Sequence, residues 1–204
     1  MKQSIPSMPK LYSIGYATKP LNVFLSQLQH YKIDVIADVR SVPYSKRFHD
    51  YHREPLIASL AEQHIRYVYL GKELGPRSKV AAHYDEHGQI QFDRLRFDDL
   101  FLSGITRLTH GIEKGFTIAM LCAEKDPATC HRSLLVAYAL SRLDVPIEVE
   151  HIDHTGNIET QHSLEHRLMT LTHSHPDIFT GESQCLSLAY QRQCKSVAYI
   201  KETS

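Results

Sequence analysis

The sequence predicts an α/β fold: a mostly parallel, Rossmann-like sheet of about five strands with helices on both faces, plus a small C-terminal helical appendage. Short apolar runs rich in β-branched residues alternate with segments whose apolar residues recur at helical spacing. Turns that contain glycine or proline separate these segments. Strands that alternate with helices form parallel sheets through right-handed crossovers, so the connections cover both sheet faces.

The first strand, helix and strand give the clearest local signals. Residues 11–14 predict a short strand that Gly15 ends, and a helix begins near residues 18–20. Its apolar side chains recur at helical spacing, namely Leu21, Phe24, Leu25 and Leu28. Residues 34–39 predict the second strand, because β-branched residues dominate them.

The middle of the chain mixes regular and irregular segments. Residues 44–53 are polar, basic and aromatic, which indicates a loop or a lid. We expect the helix over residues 55–63 to pack through Leu56, Ile57 and Leu60. Residues 66–70 predict a third strand, whereas residues 77–91 have little hydrophobic pattern and resemble an insertion.

The remaining elements follow the same alternation. Residues 93–113 predict one or two helices, with Gly115 as the C-cap. The apolar residues at roughly helical intervals are Leu95, Leu100, Phe101, Ile105, Leu108 and Ile112. A buried strand over residues 116–121 comes next, and a helix runs from about residue 130 to residue 143. Residues 147–152 predict the last strand of the sheet.

The length of 204 residues allows one sizeable core. We expect a single α/β domain over residues 1–172, which begins with a loose polar arm over residues 1–10. An amphipathic helix over residues 160–172 carries Leu164, Leu168 and Leu171. The polar extension over residues 173–204 either docks as a helical appendage or is partly mobile.

The composition excludes several classes of protein. The 23 basic and 23 acidic residues balance, so no overall field favours a nucleic acid or an acidic partner, although local basic clusters are compatible with one. The four cysteines are too few for a disulfide scaffold, and the N-terminus lacks the apolar core of a signal peptide. No apolar run approaches the roughly 20 residues of a membrane span. We therefore expect a cytoplasmic protein without a membrane partner.

Polar and reactive residues follow the predicted strands where each strand ends. The carboxyl ends of parallel strands meet at one edge of a sheet, which is where open α/β sheets bind ligands. The residues expected at this edge are Gly15, Tyr16, Asp38, Arg40, Ser41, Glu73, Gly75, Cys122, Glu124, Cys130, His131 and Arg132. This edge is the candidate site.

Two carboxylates are candidate catalytic groups. Glu124 follows a buried strand, where burial can raise the pKa of a carboxyl group and suit it to acid or base catalysis. Asp38 lies inside an apolar strand and needs a partner, since an unpaired buried charge is costly. Arg40 points to the same face and Arg132 is a second partner, so Asp38 belongs either to the site or to a structural ion pair.

The run Cys130, His131 and Arg132 suits an anion. A helix N-terminus offers free N–H groups, and arginine adds bidentate hydrogen bonds, so a phosphate or a nucleotide fits this position. The same position favours a Cys130 thiolate. Residues 44–53 interleave basic side chains with Tyr44 and other aromatic rings, which suits either a phosphodiester backbone and its bases or a solvated loop.

The cysteines raise two further possibilities, thiol chemistry and metal binding. The sixth residue after Cys122 is Ala128, so the Cys-x5-Arg loop of cysteine phosphatases is absent. Cys122 is either a third candidate catalytic residue or a small apolar residue that ends a strand. Cys122, Cys130 and His131 are a zinc-capable set, but the chain has no compact Cys-x-x-Cys pair. We therefore predict no metal and no cofactor.

Four segments of the chain are similar to a known family. SIGYATKPL, IADVRSVPYS, IRYVYLGKELG and MLCAEKDPATCHRSLLVAYAL resemble the bacterial and archaeal domain-of-unknown-function family 488, over about residues 11–170. The later HIDHTGNIETQHSLEHRL resembles the end of its longer members. The resemblance implies that the family pattern falls on Gly15, Asp38, Arg40, Pro43, Leu74, Gly75, Cys122, Glu124, Cys130, His131 and Arg132. Tyr16 stands where many members have histidine, and some members are associated with DNA base excision.

Three functions fit these residues. The leading hypothesis is a hydrolase that acts on a nucleotide or nucleic acid and cleaves an N-glycosidic bond, with Glu124 or Asp38 as the carboxylate. The second is a non-catalytic module that binds a nucleotide or another phosphorylated small molecule at the same edge. The third is a thiol or metal-binding protein. The sequence leaves the substrate and the oligomeric state open.

Overall fold

The structure is a computed structural model that describes residues 10–176 and 178–201. The polar arm expected at the start of the chain lies outside these residues except for its last position. Within the described part, no helix is long and apolar enough to cross a membrane.

A six-stranded, mostly parallel sheet forms the centre of the molecule, in the order β3-β2-β4-β1-β5-β6. Its strands are β1 Lys10–Gly15, β2 Val35–Asp38, β3 Arg66–Tyr69, β4 Ile118–Cys122, β5 Glu148–Ile152 and β6 Ile158–Thr160. The five predicted strands are all present and parallel. The sixth strand, β6, is antiparallel to β5. With three residues, β6 is too short to show a period in the sequence.

Helices cover both faces of the sheet, as the sequence predicts. They are α1 Leu21–His30, α2 Arg53–Glu62, α3 Phe92–Leu95, α4 Asp99–Glu113, α5 Tyr138–Leu140, α6 Gln161–Leu171 and α7 Glu182–Val197. The segment Arg132–Ala137 before α5 is a π-helix, and we call it the π-helix below. Single 3₁₀ turns occur at His49–Tyr51, Ala81–His83 and Pro127–Thr129.

Two apolar clusters lie on opposite sides of the sheet. On one side, α1 and α2 bury Phe24, Leu28, Leu56 and Leu60 against strand residues that include Ile14, Ile36 and Leu121. On the other side, α4, the π-helix, α6 and α7 bury Phe101, Leu134, Leu168 and Ala189 against residues that include Leu11, Met120 and Val149. The alternating side-chain directions of the strands produce this division.

The connections open a crevice at the carboxyl end of β4. The chain leaves β1 and β2 toward α1 and α2 on one face, but it leaves β4 toward the π-helix on the other face. Because β4 lies between β1 and β2, its outgoing loop diverges from both neighbours. Divergence of this kind creates ligand crevices in open α/β sheets. The loop over residues 122–132 is therefore at the position where a ligand site is expected.

Three side chains that the sequence predicts in the core are exposed in the structure. Ile57, Leu100 and Leu171 are exposed by 38%, 53% and 53%. Leu56 and Leu60, one turn apart, carry the buried stripe of α2, and Ile57 is rotated away from it. Leu100 lies in the first turn of α4, beside its Asp98 cap, and Met169 is buried near the end of α6 where Leu171 is not.

The predicted C-terminal helical appendage is present as α7. Cys185, Ala189 and Tyr190 of α7 are buried in the same cluster as the π-helix and α6. The ring of Tyr190 packs edge-to-face on Tyr138 at 4.5 Å. The boundary between a domain over residues 1–172 and an extension over residues 173–204 stays a prediction.

Candidate active site

A cavity of about 540 Å³ opens at the carboxyl edge of the sheet, where the site is expected. Predicted site residues that line it are Tyr16, Arg40, Ser41, Tyr44, Cys122, Glu124 and His131. Its other lining residues include Lys46, Arg77, Phe92, Thr129, Val197 and Tyr199. A second cavity of about 600 Å³ lies against α7, but none of the predicted site residues lines it. The chemistry of the first cavity makes it the candidate site.

Four side chains converge beside this cavity, and we call Cys122, Glu124, Cys130 and His131 the thiol cluster. All of them except Cys130 line the cavity. One Glu124 carboxylate oxygen, Oε2, accepts hydrogen bonds from the Cys122 thiol at 2.7 Å and the Cys130 thiol at 3.1 Å. Nδ1 of His131 lies 3.6 Å from the Cys122 sulfur and 3.8 Å from the Cys130 sulfur. The sequence predicts all four residues at one edge of the sheet, and the fold brings their reactive atoms within 4.8 Å of one another.

The loop after β4 places the cluster. Cys122 ends β4, and Asp126 caps the Pro127–Thr129 turn by accepting a hydrogen bond from the Ala128 N–H at 2.9 Å. Arg167 of α6 holds the Asp126 carboxylate with two hydrogen bonds of 2.8 and 3.0 Å. This turn reverses the chain, so Cys130 and His131 return beside Cys122.

Charges within the cluster shift its pKa values. Burial, and then the neighbouring Cys130, raise the pKa of the Glu124 carboxyl group above its usual range, although the residue as a whole is exposed. Burial opposes ionisation of Cys130, but the neighbouring Cys122 thiol and the nearby charge of Arg132 outweigh burial and lower the pKa of Cys130. Burial and contact with Cys130 raise the pKa of the Cys122 thiol. The two thiols therefore differ in acidity.

Arg132 is fully buried and its donors all point into the protein. They contact the Glu124 carbonyl oxygen at 2.7 Å, the Lys125 carbonyl oxygen at 3.3 Å and the Ser13 hydroxyl at 3.2 Å. A Cβ at Gly15 would overlap the Glu124 carbonyl oxygen, so only glycine admits this loop. Gly15 and Arg132, both predicted at this edge of the sheet, therefore hold the loop in position.

A chain of buried hydrogen bonds extends from Arg132 to α7. Ser13 hydroxyl and His151 Nδ1 are 2.7 Å apart, and His151 Nε2 lies 2.7 Å from the Gln161 amide oxygen. The Gln161 amide donates to the Tyr190 hydroxyl at 2.7 Å. Burial, and then the charge of Arg132, lower the pKa of His151 to about 3, so this imidazole is neutral.

Asp38 and Arg40 form a closed pair beside the cavity. Arg40 Nε and Nη2 donate to the two Asp38 oxygens at 2.8 and 2.6 Å, and Tyr67 donates to Asp38 at 2.6 Å. Asp38 is fully buried and is not among the residues that line the cavity. The predicted Asp38–Arg40 pair is present, and Arg132 takes no part in it.

Aromatic rings form the wall of the cavity on this side. Tyr16 stacks on Tyr51 with ring centroids 4.3 Å apart, and Arg40 lies over the Tyr16 ring. Tyr44 is 57% exposed and stacks on His52. Gly75 admits the close approach of Ser41, because a Cβ there would overlap the Ser41 hydroxyl.

A family model described as "Domain of unknown function DUF488" matches residues 20–139, which is more than half of the chain. The chain belongs to the DUF488 family. This confirms the resemblance seen in the four sequence segments. Comparisons with curated proteins and with solved structures found no match.

Sequence reasoning missed several residues of this DUF488 site. Val197 and Tyr199 reach the cavity from the end of α7, and Arg77 reaches it from the segment that resembled an insertion. No local pattern points to these positions. Ser13 did carry a signal, because it is a polar residue inside an apolar strand, as Asp38 is.

Proposed function

We propose that this DUF488 protein is a hydrolase that acts on a nucleotide or on nucleic acid and cleaves an N-glycosidic bond. The observation that carries the proposal is that the Glu124 carboxylate lines the same cavity as aromatic and cationic side chains. Cleavage of this bond needs a carboxylate near the sugar and a surface that holds the base. The proposal covers two kinds of substrate, DNA and free nucleotides.

The cavity contains a group for each part of such a substrate. Tyr44 offers an exposed ring on which a base can stack. Lys46 and Arg77 line the same cavity and suit the phosphate. Arg40 and Arg132 suit it less, because they already donate hydrogen bonds to protein groups. Glu124 lines the same cavity as these groups.

In the proposed reaction, a water molecule adds to the sugar carbon C1′ while the bond from C1′ to the base nitrogen breaks. The base leaves with the electron pair of that bond and takes a proton from solvent. Glu124 accepts the proton that the attacking water releases and stabilises the positive charge that develops on the sugar. Asp38 contributes no second carboxylate, because Arg40 and Tyr67 occupy its oxygens.

The test is the release of free base from a panel of nucleosides, nucleotides and single- and double-stranded oligonucleotides, measured by chromatography. We expect Glu124→Gln to lower turnover at least about 100-fold, since positioned acid–base groups contribute about 10² to 10⁴. Glu113→Gln is the matched control, because Glu113 is exposed on α4, and it should keep full turnover.

Full turnover by the Glu124→Gln variant would remove Glu124 from the mechanism. Thermal stabilisation by a nucleotide without release of any base would replace the hydrolase with the second hypothesis, a binding module. We place the activity in the cytoplasm, where the four free thiols of the chain would stay reduced.

A further inference from the structure

Three soft donor atoms in the thiol cluster face one another. They are the Cys122 sulfur, the Cys130 sulfur and Nδ1 of His131, and together with a Glu124 oxygen they all lie within 4.8 Å of one another. Both cysteines and the histidine are buried. Among the described residues, no other group of histidine, cysteine, aspartate and glutamate meets this condition.

The distances match those of a tetrahedral zinc site. Zinc lies about 2.3 Å from sulfur and about 2.0 Å from nitrogen, so tetrahedral geometry separates two such ligands by about 3.5 Å. The observed separations between Nδ1 of His131 and the two sulfurs are 3.6 and 3.8 Å. The distances from Nδ1 to both sulfurs therefore suit one shared ion, and the two sulfurs lie within 4.8 Å of each other.

The far side of the imidazole is fixed as in zinc-binding histidines. Nε2 of His131 lies 3.0 Å from the carbonyl oxygen of Val39, which only accepts, so Nε2 carries a proton and donates it. Metal-bound histidines commonly donate their second N–H to a backbone carbonyl, which orients the ring. This bond aims Nδ1 at the two thiols.

Glu124 differs from the other three. Its oxygen lies 2.7 and 3.1 Å from the sulfurs, which is closer than the separation of about 3.6 Å between sulfur and oxygen ligands of one zinc ion. Glu124 is therefore a hydrogen-bonding neighbour of the two sulfurs and not a fourth zinc ligand. It lies on the side of the cluster that opens toward the cavity.

Although the sequence alone predicts no metal, we propose from this geometry that Cys122, Cys130 and His131 bind one zinc ion and that its fourth position opens toward Glu124 and the cavity. Both thiols lose their protons to solvent when the ion binds, and neutral Nδ1 supplies a lone pair. Two thiolates balance the double charge of the ion, so the ion and its three protein ligands together carry no net charge. The proposal stands without the proposed hydrolase activity.

The test uses untagged full-length protein that is purified in a phosphine reductant without chelators. Elemental analysis should find about one zinc per chain. Exchange of zinc for cobalt should give a thiolate-to-cobalt charge-transfer band and strong visible bands, which report sulfur ligands and tetrahedral geometry. Both readouts are independent of activity.

Variants then locate the ion. Cys122→Ser, Cys130→Ser and His131→Asn should each weaken zinc binding at least about 100-fold, because loss of even an outer partner costs about 10- to 100-fold. Cys194→Ser and His166→Gln change a thiol and an exposed histidine elsewhere and should keep the metal. Glu124→Gln should also keep it, which separates this proposal from the role of Glu124 in turnover.

Less than about a tenth of an equivalent of zinc in the wild-type protein, together with no charge-transfer band after cobalt addition, would overturn the proposal. Loss of zinc from Cys194→Ser or His166→Gln, with retention in Cys122→Ser, would overturn it as well. The cobalt spectrum of the wild-type protein decides the question even if a cluster variant does not fold.

Discussion

The Asp38–Arg40 pair and the thiol cluster lie at the same edge of the sheet, but they differ in how their polar atoms are satisfied. Both Asp38 oxygens accept charged or hydroxyl donors inside the protein. In the thiol cluster, one carboxylate oxygen meets only thiol donors, and Cys122, Glu124 and His131 also line the cavity. Thiols are weak donors. The first group is closed and supports the fold, whereas the second retains capacity for a ligand.

The largest loss of stability should come from breaking the Asp38–Arg40 pair. Asp38→Ala leaves the Arg40 guanidinium buried without its carboxylate, and breaking a buried ion pair costs about 3 to 5 kcal/mol. The free energy of unfolding in urea measures this loss. Asp144→Asn, at an exposed acid, should change it by less than about 0.5 kcal/mol. Equal effects of the two substitutions would contradict the closed character of the pair.

A smaller loss of stability is expected at Gly15, which packs closely against the loop that carries the thiol cluster. Gly15→Ala would force its Cβ against the Glu124 carbonyl oxygen, and such overpacking costs about 1 to 3 kcal/mol. Thermal unfolding measures the loss, and base release or zinc content reports displacement of the loop. Gly181→Ala is the matched control, because nothing lies within 4 Å of its added Cβ. Unchanged stability and unchanged zinc content in Gly15→Ala would show that the loop is free to move.

The buried chain from Arg132 to α7 gives a pH dependence. His151 has a folded-state pKa of about 3 against an ordinary value of 6.5, so the folded protein excludes a proton that the unfolded chain binds between these values. The free energy of unfolding should therefore fall as the pH falls through this window, by up to about 1.4 kcal/mol per pH unit.

A substitution isolates this contribution from that of the carboxylates. His151→Gln should be less stable at neutral pH but should lose stability less steeply between about pH 6 and about pH 4. His166→Gln, at an exposed site, should keep the wild-type slope. Parallel curves for wild type and His151→Gln would refute the neutral, buried imidazole.

The smallest effect on stability should come from the residue with the largest effect on turnover. Glu124→Gln keeps an oxygen acceptor for the two thiols, so we expect the free energy of unfolding to change by less than about 1 kcal/mol. Chemical denaturation checks this value beside the turnover measurement. A loss as large as that of Asp38→Ala would place Glu124 among the closed, structural groups.

The sequence predicts much of the fold because its signals are local. Each of the five parallel strands is a segment of four to six residues that contains at least one β-branched residue, and most helices carry an apolar stripe. The π-helix was predicted as an ordinary helix, because its dense apolar residues fit either geometry. The strand β6 and the exposed sides of Ile57, Leu100 and Leu171 depend on tertiary packing and were missed.

For the site, sequence signals identify the reactive residues that stand where strands end, and parallel pairing places those strand ends at one edge. The contacts between these residues depend on the folded structure. Asp38 and Arg132 look equally polar in the sequence, yet both are turned inward and paired. Cys122, Cys130 and His131 come together because Arg167, far along the chain, holds the turn between them. Hydrogen bonds between distant segments have no local signature, since the crossovers of the fold create them.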